Sequence, residues 1–479
     1  MNNKFKYLFK NIGLMTLSNF CSKLLSFFLV PLYTSILTTE EYGAFDFIHT
    51  TVFLLVPIFT VDIVDAVIRF SLDEKNDKRG IFTVGVKTLM LSMVFVAGFL
   101  GINYAFNLIP VINTYIWCFA AYYIAYAFNQ LMFYFVRGLD KVNELAIASL
   151  INTIITLVLN VLFLVVFKLG FIGYFAAYIT ALMVSAFYVF FKIKAWKYIS
   201  FNGKFKTLQK EMMHYSRPLI LNTISWWINS ASDRYVVSWI CGLSANGVLS
   251  VANKIPSILN IFQSIFNQAW QLSTVKAYDP DDKDGFFANT YNMYNFALTE
   301  VCSVLIVLDI FLSRILYAKD FFEAWKYVPF YLVSILFASL SGFFTGLFKA
   351  VKDGKTESIT TAVGAVCNIV INLILVLKIG PIGAAIATAI SYIIVWALKL
   401  YKVKKYIKLK LNLKRDILSY ILLLIQIIVL LSFKESIILY LILIAITLVI
   451  TLLYLPVMKN LFISAKKMIK NKFHSNKSN

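Results

Sequence analysis

The chain has 479 residues, of which 60% are hydrophobic and 14% charged, and its mean hydropathy is +0.77. This composition excludes a soluble protein, because a soluble chain of this length divides into domains with polar surfaces. Apolar runs of about 17–25 residues recur along the whole length, which is the pattern of membrane-spanning helices. The sequence therefore predicts an all-α polytopic membrane protein.

About fourteen transmembrane helices are predicted in chain order. Their ranges are 11–37, 43–69, 81–105, 111–136, 145–167, 170–192, 216–241, 246–272, 286–312, 326–348, 358–377, 380–400, 417–433 and 437–456. Of the 45 Lys and Arg residues, 35 fall on one side of this alternation and six on the other. Because basic residues collect in cytoplasmic loops, both termini are predicted to be cytoplasmic. The same bias explains the formal charge of +21 without nucleic acid as a partner.

Two basic linkers divide the chain into lobes. We predict an N-terminal six-helix lobe over 1–197, a cytoplasmic linker over 198–215 and a C-terminal six-helix lobe over 216–400. A second linker (401–416) precedes helices thirteen and fourteen (417–456) and a basic tail (457–479). The last two helices are nearly all Leu, Ile and Val, so they are predicted to be lipid-facing additions.

The two lobes carry similar short segments. Lys168–Gly173 (KLGFIG) resembles Lys378–Gly383 (KIGPIG), and Glu41-Tyr-Gly43 aligns loosely with Ala245-Asn-Gly247. Both pairs are a little over 200 residues apart, and six helices per lobe give both lobes the same orientation. The pattern indicates a parallel repeat about an axis along the membrane normal, which is one architecture of secondary transporters.

A row of polar residues follows predicted helices seven and eight. On helix eight its members recur every three or four residues and share one face: Ser250, Asn253, Ser257, Asn260, Ser264, Asn267 and Gln271. On helix seven they are Asn222, Ser225, Asn229, Ser232 and Asp233. Such rows cannot face lipid, since unpaired polar groups in hydrocarbon cost several kcal/mol each. We interpret them as the wall of a hydrophilic cavity.

Several charged residues fall inside predicted spans, and each is a functional-site hypothesis. Lys23 lies near the midplane of helix one and shares a face with Asn19. Arg234 adjoins Asp233 and either lines the cavity or braces a neighbouring helix. Lys254 adjoins the polar row of helix eight.

Carboxylates also occur within the spans. Glu300 lies mid-membrane on helix nine, where it either carries a coupling proton or forms a salt bridge. Asp62, Asp65 and Arg69 follow i, i+3, i+7 near the end of helix two, a pattern that favours a capped and paired helix end.

Residue types that support catalysis or metal binding are scarce. The five cysteines have no paired spacing, and the three histidines form no metal-binding or Ser-His-Asp pattern. We therefore expect no enzymatic activity, no metal and no cofactor. No nucleotide-binding loop is evident, so energy would come from an ion gradient, the membrane potential or substrate flow.

Three segments resemble a known family. Pro218–Leu259 is similar to the seventh and eighth helices of bacterial oligosaccharide flippases, the Wzx-type branch of the MOP exporter superfamily. Pro31–Ile48 resembles that family's turn between helices one and two, and Ile379–Ser391 resembles its entry to helix twelve. The resemblance implies two six-helix lobes that move an undecaprenyl-pyrophosphate-linked glycan across the bacterial cytoplasmic membrane for surface polysaccharide biosynthesis.

The resemblance also implies where substrate binds. Relatives hold the charged headgroup in a central cationic cavity, and Lys23, Arg234 and Lys254 fall on helices that line it. Asn19, Asn229, Asp233, Asn253 and Asn260 would then contact the sugar. Membrane lipids and a polysaccharide polymerase are expected partners, and the coupling ion, H⁺ or Na⁺, stays open. The alternatives are a cation-coupled drug antiporter of the MATE type, a lipid-II-type flippase and a membrane-embedded glycan polymerase or acyltransferase.

Overall fold

The computed structural model describes residues 27–73, 76–200 and 205–459. Within these ranges it gives the backbone alone at eleven positions: Asn222, Ser225, Trp226, Asn229, Ser230, Gln268, Ala269, Gln271, Leu272, Val275 and Lys276. Every long element in the described part of the chain is a helix, and no strand occurs there.

Seventeen α-helices are described. The first ten are α1 (Val30–Ile36), α2 (Thr39–Phe59), α3 (Ile63–Ser71), α4 (Lys78–Phe106), α5 (Pro110–Thr114), α6 (Ile116–Gly138), α7 (Val142–Asn160), α8 (Gly170–Lys192), α9 (Lys206–Cys241) and α10 (Leu243–Ala252). The others are α11 (Ser257–Ala277), α12 (Phe286–Leu316), α13 (Val328–Ala350), α14 (Gly354–Ile379), α15 (Ile382–Val403), α16 (Leu413–Ser432) and α17 (Ile437–Leu453).

Nine of the described helices are long and apolar enough to span a membrane, and two shorter apolar helices, α10 and α17, accompany them. Each predicted span from the second to the fourteenth overlaps at least one described helix. The predicted class, an all-α polytopic membrane protein with about fourteen transmembrane helices, is confirmed.

The chain divides into two compact units. Unit 1 runs to Ser250 and includes Leu316–Phe321, whereas unit 2 comprises Val251–Ile315 and the chain from Phe322 onward. Helices α1 to α10 therefore lie almost wholly in unit 1. Helices α11 to α17 form unit 2.

Two predicted spans are interrupted. The span 43–69 breaks between α2 and α3, where Val61 and Asp62 adopt φ of 55° and 50°. A left-handed β-branched residue is strained, so the packing around this break must hold it in place. The span 246–272 breaks at the turn 253–256 between α10 and α11, next to Pro256, which lacks a backbone N–H and stands just before α11. Periodicity alone could not show these breaks, because the polar and apolar spacing continues through them.

Helix α9 begins at Lys206, ten residues before the predicted start of its span. Its first three turns include much of the basic segment that the sequence assigned to a linker. Lys and Arg are good helix formers, so this segment can extend the transmembrane helix beyond the apolar region.

The repeated sequence segments occupy equivalent backbone positions. Gly170 begins α8 and Gly380 precedes α15, and their φ values are +54° and +72°. Both glycines permit a left-handed turn between two antiparallel helices. The short sequence match thus shares a glycine of positive φ before or at the start of the second helix.

In unit 1, α2 and α10 cross at two glycines. A Cβ added to Gly43 would lie 1.9 Å from the carbonyl oxygen of Leu243, and one added to Gly247 would lie 1.9 Å from the carbonyl oxygen of Thr39. The hydroxyls of Thr39 and Ser244 are 2.6 Å apart, and the Asn246 amide donates to the Gly43 carbonyl at 3.1 Å. Small residues allow this close approach of two backbones. The crossing is reciprocal, with each glycine contacting the residue four before the other.

Gly43→Ala and Gly247→Ala should each destabilise the protein by about 1–3 kcal/mol, because the added methyl group meets backbone that cannot move aside. Thermal unfolding of the purified protein in detergent measures the effect. Gly98→Ala is the matched control, since no atom of another residue lies within 4 Å of its added Cβ. An unfolding temperature unchanged by both crossing variants would contradict the description of this contact.

In unit 2, aromatic side chains join α11, α12 and α13. Trp270 stacks on Phe343 with centroids 4.2 Å apart and donates its indole N–H to the Phe343 carbonyl at 2.9 Å. Phe266 stacks on Tyr294 of α12 at 3.6 Å. These contacts fix the face of α11 that points into the unit.

Helices α16 and α17 are more than apolar additions. Their outer faces are exposed, as predicted for contact with lipid, for example at Ile428 and Leu441. A polar face of the pair, however, is buried against α12: the Gln426 amide bonds to Ser303 and Thr447. The sequence did not predict this buried polar face, because single polar residues in Leu/Ile-rich helices do not reveal their neighbours.

Candidate functional site

Some predicted site residues lie outside the described part of the chain. Asn19 and Lys23 precede residue 27, and Asn229 is described by its backbone within α9 alone. Their predicted roles in substrate binding stay predictions.

Arg234 is held by α2 in unit 1. Its guanidinium donates to Asp46 Oδ1 at 2.9 Å and to the Thr50 hydroxyl at 3.1 Å. Both members of this ion pair are mostly buried. Their short hydrogen bond must therefore offset a larger desolvation cost than a surface ion pair would have. Of the two roles left open by the sequence, Arg234 takes the bracing one in this conformation.

Further bonds from α9 to α2 surround this ion pair. The Trp227 indole N–H donates to the Thr50 carbonyl at 3.0 Å, and the hydroxyls of Thr51 and Tyr235 are 2.5 Å apart. Asp233 is buried, and its Oδ1 accepts the backbone N–H of Arg234. Arg234 and its neighbours therefore join α9 to the same helix that makes the glycine crossing.

A small acidic cavity lies beside the break between α2 and α3 in unit 1. Its volume is about 120 Å³, and its polar lining comes from three helices and the break itself: Asp62, Asp65, Tyr126, Gln130, Tyr134 and Thr223. The Thr223 hydroxyl donates to Asp62 at 2.9 Å, and the Gln130 amide donates to Tyr126 at 2.7 Å. The cavity presents carboxylates and neutral hydrogen-bonding groups inside a membrane helix bundle.

The sequence interpretation of this acidic segment is wrong in detail. Asp62 precedes α3, but its side chain makes no capping hydrogen bond. Among the described ion pairs none joins Asp65 to Arg69, and the cation whose charge acts on Asp65 is Arg137 of α6. The sequence feature that could have predicted this cavity is the combination of the paired carboxylates with the tyrosines of α6.

The polar row predicted on helix eight is divided by the turn at 253–256. Ser250 is buried on α10, Asn253 and Lys254 lie in the turn, and the rest of the row lies on α11. On α11, Ser257, Asn260, Ser264 and Asn267 are half-buried, whereas Phe262 is 54% exposed. The prediction of one continuous helical row is corrected, but its α11 part keeps a common partly exposed face.

Two of these residues have informative surroundings in unit 2. The carbonyl of Lys254 accepts the Ser257 hydroxyl at 2.6 Å, which closes the turn and leaves the half-buried lysine side chain at the start of α11. Asn267 faces Gly342 of α13, where an added Cβ would lie 3.4 Å from its amide. The row therefore runs along a protein-facing side of α11.

Glu300 belongs to unit 2 and lies on α12. Its Oε1 accepts the Thr451 hydroxyl of α17 at 2.8 Å, and its Oε2 is buried without a hydrogen-bond partner. No ion pair involving Glu300 occurs among the described residues. The salt-bridge interpretation of Glu300 is therefore not what this conformation shows.

Two basic features were missed by the sequence interpretation. The first turns of α9 line a surface groove of about 410 Å³ with Lys206, Lys210, His214 and Arg217 on one face. Lys399 of α15 is buried in unit 2 and donates to the Thr345 hydroxyl at 2.8 Å. The spacing 206, 210, 214 and 217 on a helix was the available signal for the groove.

Metal-binding side chains do not come together in the described residues: no group of three or more His, Cys, Asp and Glu there is arranged to hold a metal ion. The polar groups found above suit hydrogen bonding and charge attraction.

Comparison with known proteins identifies the chain's relatives. The family described as "Polysaccharide biosynthesis protein" matches residues 8–271, more than half of the chain. The lipid II flippase MurJ of Thermosipho africanus (strain TCF52B) is 30% identical over 100 residues. That match covers 20% of this chain and 21% of the relative, so the chain matches about a fifth of the curated relative's length.

Solved structures show the same fold. The lipid II flippase MurJ in an inward closed conformation gives a TM-score of 0.67 at 17% identity, covering 94% of this chain and 98% of that one. A multidrug resistance MATE family transporter of the MOP superfamily in an inward-facing conformation gives 0.62 at 14% identity, covering 80% and 95%. The resemblance found in the sequence is confirmed: this chain belongs to the polysaccharide biosynthesis protein family and has the fold of the MOP superfamily transporters.

Proposed function

We propose that this protein flips undecaprenyl-pyrophosphate-linked oligosaccharide repeat units across the bacterial cytoplasmic membrane by alternating access. Membership in the polysaccharide biosynthesis family supports a glycan substrate. The fold shared with flippases and transporters supports transport across the membrane without an enzymatic reaction. A surface polysaccharide polymerase would then receive the product.

The observation that carries the proposal is the polar face of α11. Asn260, Ser264 and Asn267 are half-buried on α11, which overlaps the predicted span 246–272, and hydrocarbon could not satisfy their amide and hydroxyl groups. The partly exposed side of this face would therefore border a hydrophilic space. Amides and hydroxyls suit a glycan, because every sugar hydroxyl can both donate and accept a hydrogen bond.

The headgroup proposal rests on basic residues. Lys254 stands at the start of α11, and Lys206, Lys210 and Arg217 line the groove at the start of α9. An ammonium attracts pyrophosphate as a point charge, whereas arginine can bind it with two parallel hydrogen bonds. Lys23 would add charge near the midplane of the first helix.

We keep the remaining predicted residues as candidates for substrate binding. Asn19, Asn229, Asp233, Asn253 and Asn260 would contact the sugar, and Arg234 would contact the pyrophosphate only when its bond to Asp46 opens. Because a phosphate would compete with Asp46 for the same guanidinium, substrate binding and the α2–α9 contact would exclude each other. Such competition links substrate occupancy to helix movement.

The membrane topology is part of the proposal. Both termini would be cytoplasmic, with six-helix lobes over 1–197 and 216–400 joined by the linker 198–215. The linker 401–416, the helical pair 417–456 and the tail 457–479 would complete the chain. The strong excess of Lys and Arg in alternate loops supports this arrangement.

A lipid-II-type flippase is a second candidate, favoured by the similarity to MurJ. Both candidates share the lipid pyrophosphate and differ in the attached sugar. A third candidate, a MATE-type cation-coupled drug antiporter, is favoured by the acidic cavity of unit 1. Transport assays in proteoliposomes, with fluorescent lipid-linked oligosaccharide, lipid II or ethidium as the substrate, would distinguish the three candidates.

Lys254→Ala should slow flipping of a fluorescent undecaprenyl-pyrophosphate-linked oligosaccharide in proteoliposomes by about tenfold or more, the typical value of one charge-assisted hydrogen bond. Dithionite quenching of the outer leaflet measures the rate. Lys254→Arg should recover part of it, and Lys355→Ala, an exposed lysine at the start of α14, is the control. Equal rates for all four proteins would contradict the proposed headgroup contact.

Asp46→Asn should destabilise the protein by about 1–3 kcal/mol, because it leaves the mostly buried Arg234 guanidinium without its counter-ion. The exchanged variant Asp46→Arg with Arg234→Asp should recover part of the thermal stability. It should not recover flipping, since the cation would then stand on α2. Recovery of both properties would show that Arg234 acts only as a brace.

A further inference from the structure

A row of polar side chains follows α12 through unit 2. It consists of Asn292, Asn295, Thr299, Glu300, Ser303, Asp309 and Ser313, which recur at helical spacing. Five of these residues are fully buried (Asn295, Thr299, Ser303, Asp309 and Ser313). The row lies against α16 and α17, the helices that the sequence assigned to lipid.

Neutral members of the row are satisfied by partners from α16 and α17. The Asn295 amide donates to the Tyr454 hydroxyl at 3.0 Å and accepts the Tyr420 hydroxyl at 2.9 Å. Ser303 bonds to Gln426 at 3.0 Å and to Thr447 at 2.8 Å. In a low-dielectric interior an unpaired polar group destabilises the fold, so these groups can be buried because they are hydrogen-bonded.

The two carboxyl groups of the row are only half satisfied. Glu300 Oε1 accepts the Thr451 hydroxyl at 2.8 Å, and Asp309 Oδ1 accepts the Ser313 hydroxyl at 3.2 Å. Their other oxygens, Glu300 Oε2 and Asp309 Oδ2, are buried and have no hydrogen-bond partner in the described structure. Neither residue forms an ion pair with the described Lys and Arg side chains.

The charged and titratable groups around α12 lie toward its ends. From α16, from α17 and from the loop between them they are Arg415, Asp416, Tyr420, Glu435, Tyr440 and Tyr454. Arg415 bonds to Asp416 and Asn292, and Arg314 pairs with Glu435. Both arginines thus have carboxylate partners other than Glu300 and Asp309.

An ionised carboxylate without a counter-ion in such an interior carries a large desolvation penalty. Binding a proton removes the charge, so the buried environment stabilises the neutral carboxyl. A metal cation would need several oxygen ligands. The described surroundings of Asp309 offer the Ser313 hydroxyl, which favours a proton as the ligand.

We propose that Glu300 and Asp309 are two exchangeable proton-binding groups, and that the α12–α16–α17 bundle is the proton site of this transporter. Each carboxylate takes up one proton at its unpartnered oxygen and releases it when α16 and α17 move relative to α12. The groups are nine residues apart, or about 14 Å along the helix axis. Both therefore lie inside the membrane-spanning part.

Protons have an entry at the Glu435 end of the bundle. The Tyr440 hydroxyl donates to Glu435 Oε1 at 2.9 Å. Glu435 is about one-third exposed, so it can exchange protons with water. The proposed topology places this end outside the cell, where a proton gradient would deliver protons.

The role of this site in transport rests on the proposed function, but the test of proton binding does not. Proteoliposomes of the full-length protein on a solid-supported membrane receive a pH jump without any glycan lipid. Because protons enter the membrane interior to bind, the wild type should give a transient charge displacement. Glu300→Gln and Asp309→Asn should each lose part of it, and the double variant should fall to the level of empty liposomes.

Three controls make the result decisive. Asp281→Asn makes the same chemical change at an exposed ion pair with Lys408 and should keep the full displacement. Glu300→Asp and Asp309→Glu retain a carboxyl and should retain a signal, and size-exclusion profiles show whether each variant folds. No displacement in the wild type, an unchanged displacement in the double variant, or the same displacement from a Na⁺ jump at constant pH would overturn the proposal.

The proposed flipping activity and the proposed proton site can then be refuted independently of each other. A normal displacement in a protein that moves no lipid-linked glycan would leave the proton site standing and overturn the proposed substrate alone.

Discussion

Hydrocarbon offers no hydrogen-bond partner, and this constraint governs the placement of nearly every polar side chain described in this protein. Each such group must find protein or water. Asn295, Ser303 and Gln426 find other side chains, and Arg234 finds Asp46. Glu300 and Asp309 each keep one buried carboxylate oxygen without a hydrogen-bond partner. These oxygens are the atoms at which a further ligand could bind.

The two units meet this constraint in different ways. Unit 1 joins α2 to α9 and α10 by a glycine crossing and a mostly buried ion pair, and it encloses an acidic cavity at a strained helix break. Unit 2 buries a polar row between three helices and keeps a half-buried polar face on α11.

The two interrupted helices are the feature of this fold that many transporters also have. A break exposes backbone groups that only protein or a water-filled cavity can satisfy, which is why such breaks are functional in transporters. Here they fall between α2 and α3 and between α10 and α11, next to Asp62 in one case and Lys254 in the other. Each break places a charged side chain within a span predicted from the sequence.

The sequence by itself determined the class and the order of the helices. Apolar runs and the distribution of Lys and Arg are properties of single segments, so they can be read without knowing which segments touch. Tertiary structure alone decided that Arg234 meets Asp46, that Gly43 meets Gly247 and that α16 and α17 cover the carboxyl groups of α12. Those outcomes depend on residues 100 to 200 positions apart, and the spacing within one helix contains no information about its neighbour.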